Sequence, residues 1–169
     1  GKQKYFNGDE YQGEWAEDLR CGEGTITYTK GAVTHSRSSK ETTCVEATNY
    51  VEHLHVSVKY VGQWKGDQRC GDGACDYENG DHYQGSWHND VREGKGDQTC
   101  GGTNDHHTGD WSADLRNGSG SGKYGNGDAY EGDWKDDARS GKGRCVYANG
   151  DVFTRVQKIL LTTEISNRK

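Results

Sequence analysis

Five segments of one design constrain this chain more than anything else in it: "YQGEW" from Tyr11, "YVGQW" from Tyr60, "YQGSW" from Tyr83, "HTGDW" from His107 and "YEGDW" from Tyr130. The tryptophans stand at Trp15, Trp64, Trp87, Trp111 and Trp134, so successive steps are 49, 23, 24 and 23 residues. A near-constant period marks a repeat array, in which each unit buries its apolar face against its neighbours. Every Trp is followed by an Asp and then an Arg: Asp18 and Arg20, Asp67 and Arg69, Asp90 and Arg92, Asp114 and Arg116, Asp137 and Arg139. A Gly-x-Gly comes next, as in Gly71/Gly73 and Gly141/Gly143. Four stretches carry an Asn-Gly-Asp turn signal: "YFNGDEY" from Tyr5, "YENGDHY" from Tyr77, "YGNGDAY" from Tyr124 and "YANGDVF" from Tyr147.

Composition alone points elsewhere. Of 169 residues only 29% are hydrophobic, 26 are Gly and none is Pro, and mean hydropathy is -1.16. Such values lean toward disorder. Five Trp and 10% aromatic residues at regular spacing decide for a folded array instead. A net charge of -6 argues against a nucleic-acid partner held through phosphates, and equally against adhesion to anionic lipid by charge alone. No apolar run is long enough for a membrane-spanning helix, and no secretory leader opens this sequence. The sequence opens on Gly and contains no Met, which leaves room for a longer parent chain.

The spacing assigns side chains to faces. Tyr130, Gly132 and Trp134 share one face of a strand, since side chains alternate, while Glu131 and Asp133 face water. Gly141, Gly143, Cys145 and Tyr147 share a face of the next strand. Each unit therefore reads as a β-hairpin, with glycines giving the Trp ring room to lie flat across the neighbouring backbone. Parity sets the loops. Keeping Tyr147 and Phe153 on one face requires an odd, three-residue loop with Gly150 in the left-handed region. Trp134 to Gly141 requires an even loop, which Asp137 caps through its own backbone. The fold class is all-β: an elongated single-layer antiparallel sheet of consecutive hairpins, spanning residues 1–152.

Two regions depart from the frame. The long Trp step leaves room for one more unit over residues 34–59, where Thr34, Ser36 and Ser38 stand for Tyr, Gly and Trp, and Val45 and Ala47 for the glycines. This is either a degenerate repeat or an insertion. Residues 153–169 form a capping tail: Phe153 keeps the Tyr position of a next unit, and Val152, Val156, Ile159 and Leu160 fall at helical spacing. A strand start followed by a short amphipathic helix there covers the last sheet edge. The tail carries a charge of +3 and the rest therefore -9.

The frame Tyr-x-Gly-x-Trp, Asp-x-Arg-x-Gly-x-Gly, Tyr-x-Asn-Gly-Asp-x-Tyr resembles the MORN repeat over Tyr5 to Phe153, apart from the degenerate stretch. The resemblance implies a hairpin array acting as a scaffold or docking surface, cytoplasmic, on the cytoskeleton or the cytosolic face of a membrane, or as a regulatory segment of a larger enzyme such as a lipid kinase. His107 in place of Tyr, and "DQTCGGTNDHH" from Asp97 without its inner Tyr or Asn-Gly-Asp turn, mark the loosest point of the sheet.

No catalytic constellation, cofactor motif or metal set stands out. Cys75 and Cys145 occupy the inward position of Ile26 and read as small apolar fillers. Cys21 and Cys70 sit about two units apart, too far to bridge. His53 with His55, and His106 with His107, lack the paired Cys or third His of a zinc site. Gly118-Ser-Gly-Ser-Gly lacks the Lys-Ser/Thr ending of a phosphate loop. Two features invite a partner. A single-layer sheet leaves its aromatic face partly open, which makes Tyr11, Trp15, Tyr60, Trp64, Tyr83, Trp87, Trp111, Tyr130 and Trp134 a candidate interface for a protein helix or a second copy. The charges Asp67, Arg69, Asp90, Arg92, Asp114, Arg116, Asp137 and Arg139 form a ladder along one edge, either as locally compensated turns or as a register for a partner. A membrane or phosphoinositide-binding module is the alternative: the -9 array opposes it and the +3 tail favours it.

Overall fold

The computed structural model describes residues 1–29 and 57–155. Twelve strands are present: β1 (Lys2–Lys4), β2 (Glu10–Ala16), β3 (Leu19–Thr27), β4 (Ser57–Lys65), β5 (Gln68–Tyr77), β6 (His82–His88), β7 (Val91–Thr99), β8 (His106–Ser112), β9 (Leu115–Lys123), β10 (Ala129–Lys135), β11 (Ala138–Val146) and β12 (Val152–Arg155). They form one open antiparallel sheet in sequence order, and the described residues contain no helix. β3 pairs directly with β4, Ile26 opposite Tyr60 and Gly24 opposite Gly62. Ser57 to Lys59, the last residues of the stretch read as a degenerate repeat or insertion, belong to β4. The rest of that stretch lies outside the described residues, as does the tail helix expected beyond β12.

Both loops have the parity expected of them. Lys135 pairs with Ala138 across Asp136 and Asp137, whose φ values of 48° and 65° make a two-residue turn of the kind that matches strand twist. Asn89 with Asp90 and Ala113 with Asp114 repeat it, also with positive φ. At the other end Tyr147 N–H donates to Asp151 O at 2.9 Å, enclosing three residues with Gly150 at φ 91°. The Asn149 side-chain oxygen accepts from Asp151 N–H at 2.9 Å, which fixes the Asn of the signal.

The first glycine of Gly-x-Gly has another use than the shared face expected for it. Gly132 pairs with Gly143 but Asp133 with Ser140, so Gly141 and Lys142 bulge out of β11. Gly141 takes φ 50°, and Asp133 Oδ2 accepts from the Lys142 amide at 2.9 Å. The displacement of two residues preserves parity, and Arg139 therefore falls opposite Trp134 on the aromatic face.

Candidate functional site

The aromatic face is where the sequence concentrates its large side chains, and its packing differs from the expected one. Tyrosine, not tryptophan, lies over the bare backbone. A Cβ added at Gly13 or Gly24 would collide with the Tyr11 ring, and Gly73, Gly96 and Gly143 stand in the same relation to Tyr60, Tyr83 and Tyr130. The Tyr11, Tyr60 and Tyr83 hydroxyls each donate to the carbonyl three residues on, at 3.1 Å. Trp64, Trp87, Trp111 and Trp134 each stand edge-on between two rings instead. Trp64 meets Tyr60 at 5.2 Å and Tyr11 of the preceding unit at 5.6 Å, with interplanar angles of 88° and 85°. The Trp64, Trp87 and Trp111 indoles donate to Gly24, Gly73 and Gly96 carbonyls of the preceding units.

Arginine completes the arrangement, and it does so between units. Arg20, Arg69, Arg92 and Arg116 place their guanidinium carbons 4.2, 4.2, 4.3 and 4.4 Å from the Trp64, Trp87, Trp111 and Trp134 rings of the following unit. Arg20 then holds Asp67, Arg69 holds Asp90, Arg92 holds Asp114 and Arg116 holds Asp137. In each pair the amide and Nε both donate to one Asp oxygen, and Nη2 donates to the Asp carbonyl, as at 2.9, 3.1 and 2.8 Å for Arg69. Burial pushes the Asp67 carboxyl up, but the Arg20 amide and guanidinium outweigh it and hold it below the usual carboxylate range. The charge ladder is thus neither a set of locally compensated turns nor a free register along an edge. It is an internal clamp, with Arg69 and Arg92 buried. Nor does Asp137 cap its own turn; it receives Arg116. Only the ends differ: Arg139 lies over Tyr124 and Tyr130 and is exposed.

This packing closes the face that was expected to stay partly open. Tyr11, Tyr60, Tyr83, Tyr130, Trp64, Trp87, Trp111 and Trp134 are all buried. The second layer they lack as a sheet is supplied by their own edge-on rings and by the arginines above them. Trp15 is the one half-buried indole of the five. It lines a groove of about 770 Å³ with Tyr5, Phe6, Ile26, Tyr28 and Trp64, and with Asp18, Arg20 and Asp67 among its charged residues. Phe6 is fully exposed. Sequence reasoning missed Tyr5, Phe6 and Tyr28 as lining of this groove; the turn motif "YFNGDEY", with Phe6 in a loop, is the signal that marks the first two.

The remaining candidates fall elsewhere. Cys75 and Cys145 are buried fillers, as their inward position requires. Cys21 and Cys70 are free thiols in adjacent units rather than two units apart, since β3 neighbours β4. His106 pairs with Asp97 at 2.8 Å on the polar face, while His107 is buried on the aromatic one. His53 and His55 lie outside the described residues. Among the described residues no three His, Cys, Asp or Glu side chains gather as metal ligands.

A sheet of like hairpins, each locked to the next through rings, a guanidinium and a turn carboxylate, defines a β-hairpin repeat protein. Residues 11–33, 60–82, 83–102, 107–129 and 130–152 each match the MORN repeat, and the chain belongs to that family. The MORN repeat is a non-catalytic module, consistent with a repeat scaffold or binding element. Among curated proteins none matches the chain significantly.

Proposed function

We propose that this chain is a non-enzymatic docking scaffold that seats a protein segment, an amphipathic helix or a strand of a second copy, in the groove at the start of its aromatic face. The observation that carries this reading is the contrast among the tryptophans: four are buried within the array, and Trp15 alone is half-buried, beside the exposed Phe6. Among the described residues, this aromatic groove favours a partner offering apolar anchors, with the exposed Asp18 at its rim to orient a positive charge. Three lysines of the polar face stand against acids, Lys95 on Asp110 and both Lys2 and Lys4 on Glu10, an arrangement that gives little purchase to anionic lipid there.

Affinity capture and sedimentation equilibrium test it together. Phe6→Ser with Trp15→Ser is expected to abolish capture of a partner protein, or concentration-dependent self-association, while Lys142→Ser on the polar face retains both. Each variant is first confirmed to be folded by a cooperative thermal transition and the far-ultraviolet circular dichroism of wild type. Equal behaviour of wild type and both variants contradicts the proposal.

A further inference from the structure

One unit is built differently from the rest. His107 takes the place held by Tyr11, Tyr60, Tyr83 and Tyr130, and an imidazole lacks the reach of their hydroxyls to the carbonyl three residues on. Both ring nitrogens of His107 are buried without a hydrogen-bond partner. The tyrosine that ends other repeats, Tyr28, Tyr77 and Tyr124, is Cys100 at the end of the repeat just before His107, so two phenol rings are replaced side by side at this one boundary. A cavity of about 50 Å³ remains, lined by Gln98, Cys100, Asp105, His107, Arg116 and Tyr124 among others. The disturbance reaches the following unit: Trp134 Nε1 is buried and unpartnered, where Trp64, Trp87 and Trp111 donate to a glycine carbonyl. At the same place the apolar core depends on the imidazole alone for continuity, since His107 stacks edge-on at 5.5 Å from Trp111 and 4.9 Å from Trp134. One cluster runs from Tyr11 to Trp111, and a second holds Tyr130, Trp134 and Cys145.

We propose that the His107 unit is a proton-operated joint, at which protonation of the buried imidazole opens β8 to β10 locally while the sheet before it stays closed. The charges facing the ring come from several elements. Arg116 on β9 and His106 on β8, next to the ring in sequence, oppose a cation there, whereas Asp137 of the β10–β11 turn and Asp97 of β7 favour one. Burial is the larger effect and, with Arg116, holds the imidazole down to about 4. The open form regains the ordinary value of 6.5, so it binds the proton more tightly than the closed form does. Closure is therefore fully stable above that value and weakens as the pH falls toward 4.

Hydrogen exchange followed by mass spectrometry on wild type, His107→Tyr and His107→Phe tests this. Between about pH 7.5 and about pH 5, the opening constant of β8 to β10 amides, corrected for intrinsic exchange, is expected to rise about thirtyfold in wild type. In either variant it should rise less than about threefold, and amides of β4 to β6 should change little in all three proteins. The tyrosine variant restores the repeat frame and the phenylalanine variant removes titration without adding a donor, so one of them reports even if the other folds poorly. A rise of equal size in the variants, or one spread evenly over the whole sheet, overturns the proposal.

Discussion

Arg92 lies with its guanidinium carbon 4.3 Å from the Trp111 ring, and the same side chain grips Asp114 in the turn after that Trp. One residue thus joins two units through a ring face and a carboxylate. Lysine keeps the charge but cannot stack a planar group and fork two donors at once. Arg92→Lys should therefore destabilise the array by about 2 kcal/mol, and Arg116→Lys, whose parent side chain is more exposed, by less. Urea denaturation of the two variants checks the order.

Gly96 and Gly66 separate two reasons for glycine. A Cβ at Gly96 meets the Tyr83 ring, whereas at Gly66, in a turn with φ 57°, it meets nothing. Gly96→Ala should cost about 2–3 kcal/mol through overpacking. Gly66→Asn should stay within about 0.5 kcal/mol of wild type, because Asn tolerates the left-handed region. The corresponding position is already Asn89 one unit on, also with positive φ. Thermal unfolding measures both.

Alkali tests the burial of the tyrosine row. Burial raises the Tyr60, Tyr77 and Tyr83 phenols well above their ordinary value, and Tyr28 to about 12. Unfolded chains lose these protons near 10, so stability is complete below that pH and falls as the pH climbs above it. Ultraviolet titration of phenolate should show these buried rings ionising late, well above the ordinary value. The buried group should then ionise together with loss of the near-ultraviolet circular dichroism signal. A single phase at the ordinary value would contradict the packing.

The tryptophans predict a gradient. Trp87 is buried between Tyr60 and Tyr83, while Trp15 touches Tyr11 on one side and the groove on the other. Trp87→Ala should cost about 3–5 kcal/mol and Trp15→Ala clearly less, with the difference read from urea midpoints.

Much of this was legible in the residues. The period located the units, and alternation placed Tyr130, Gly132 and Trp134 together. Parity gave the three-residue loop before Asp151 and an even loop between Trp134 and Gly141, which the structure places at Asp136 and Asp137. Pairing across units was not legible, because Arg92 stands two residues from Asp90 in sequence but binds Asp114 in space. That choice depends on the bulge at Gly94, which keeps Arg92 on the aromatic face opposite Trp87. Openness was misjudged for a related reason. A single layer leaves its face bare only if the rings lie flat, and the edge-on stack of Trp87 against Tyr60 and Tyr83 covers them. His107 was marked as the loosest point by its departure from Tyr, but its unpartnered nitrogens became visible only with the Tyr83 hydroxyl geometry beside it for comparison.

A double-mutant cycle in Arg92 bears most directly on the clamp between units. Arg92→Ala is combined with Asp114→Ala across the unit boundary, and separately with Asp90→Ala within the unit, and coupling energies are taken from urea denaturation. The clamp predicts a coupling of about 2 kcal/mol for Arg92 with Asp114 and less than about 0.5 kcal/mol for Arg92 with Asp90. Equal couplings, or the larger one within the unit, would contradict it.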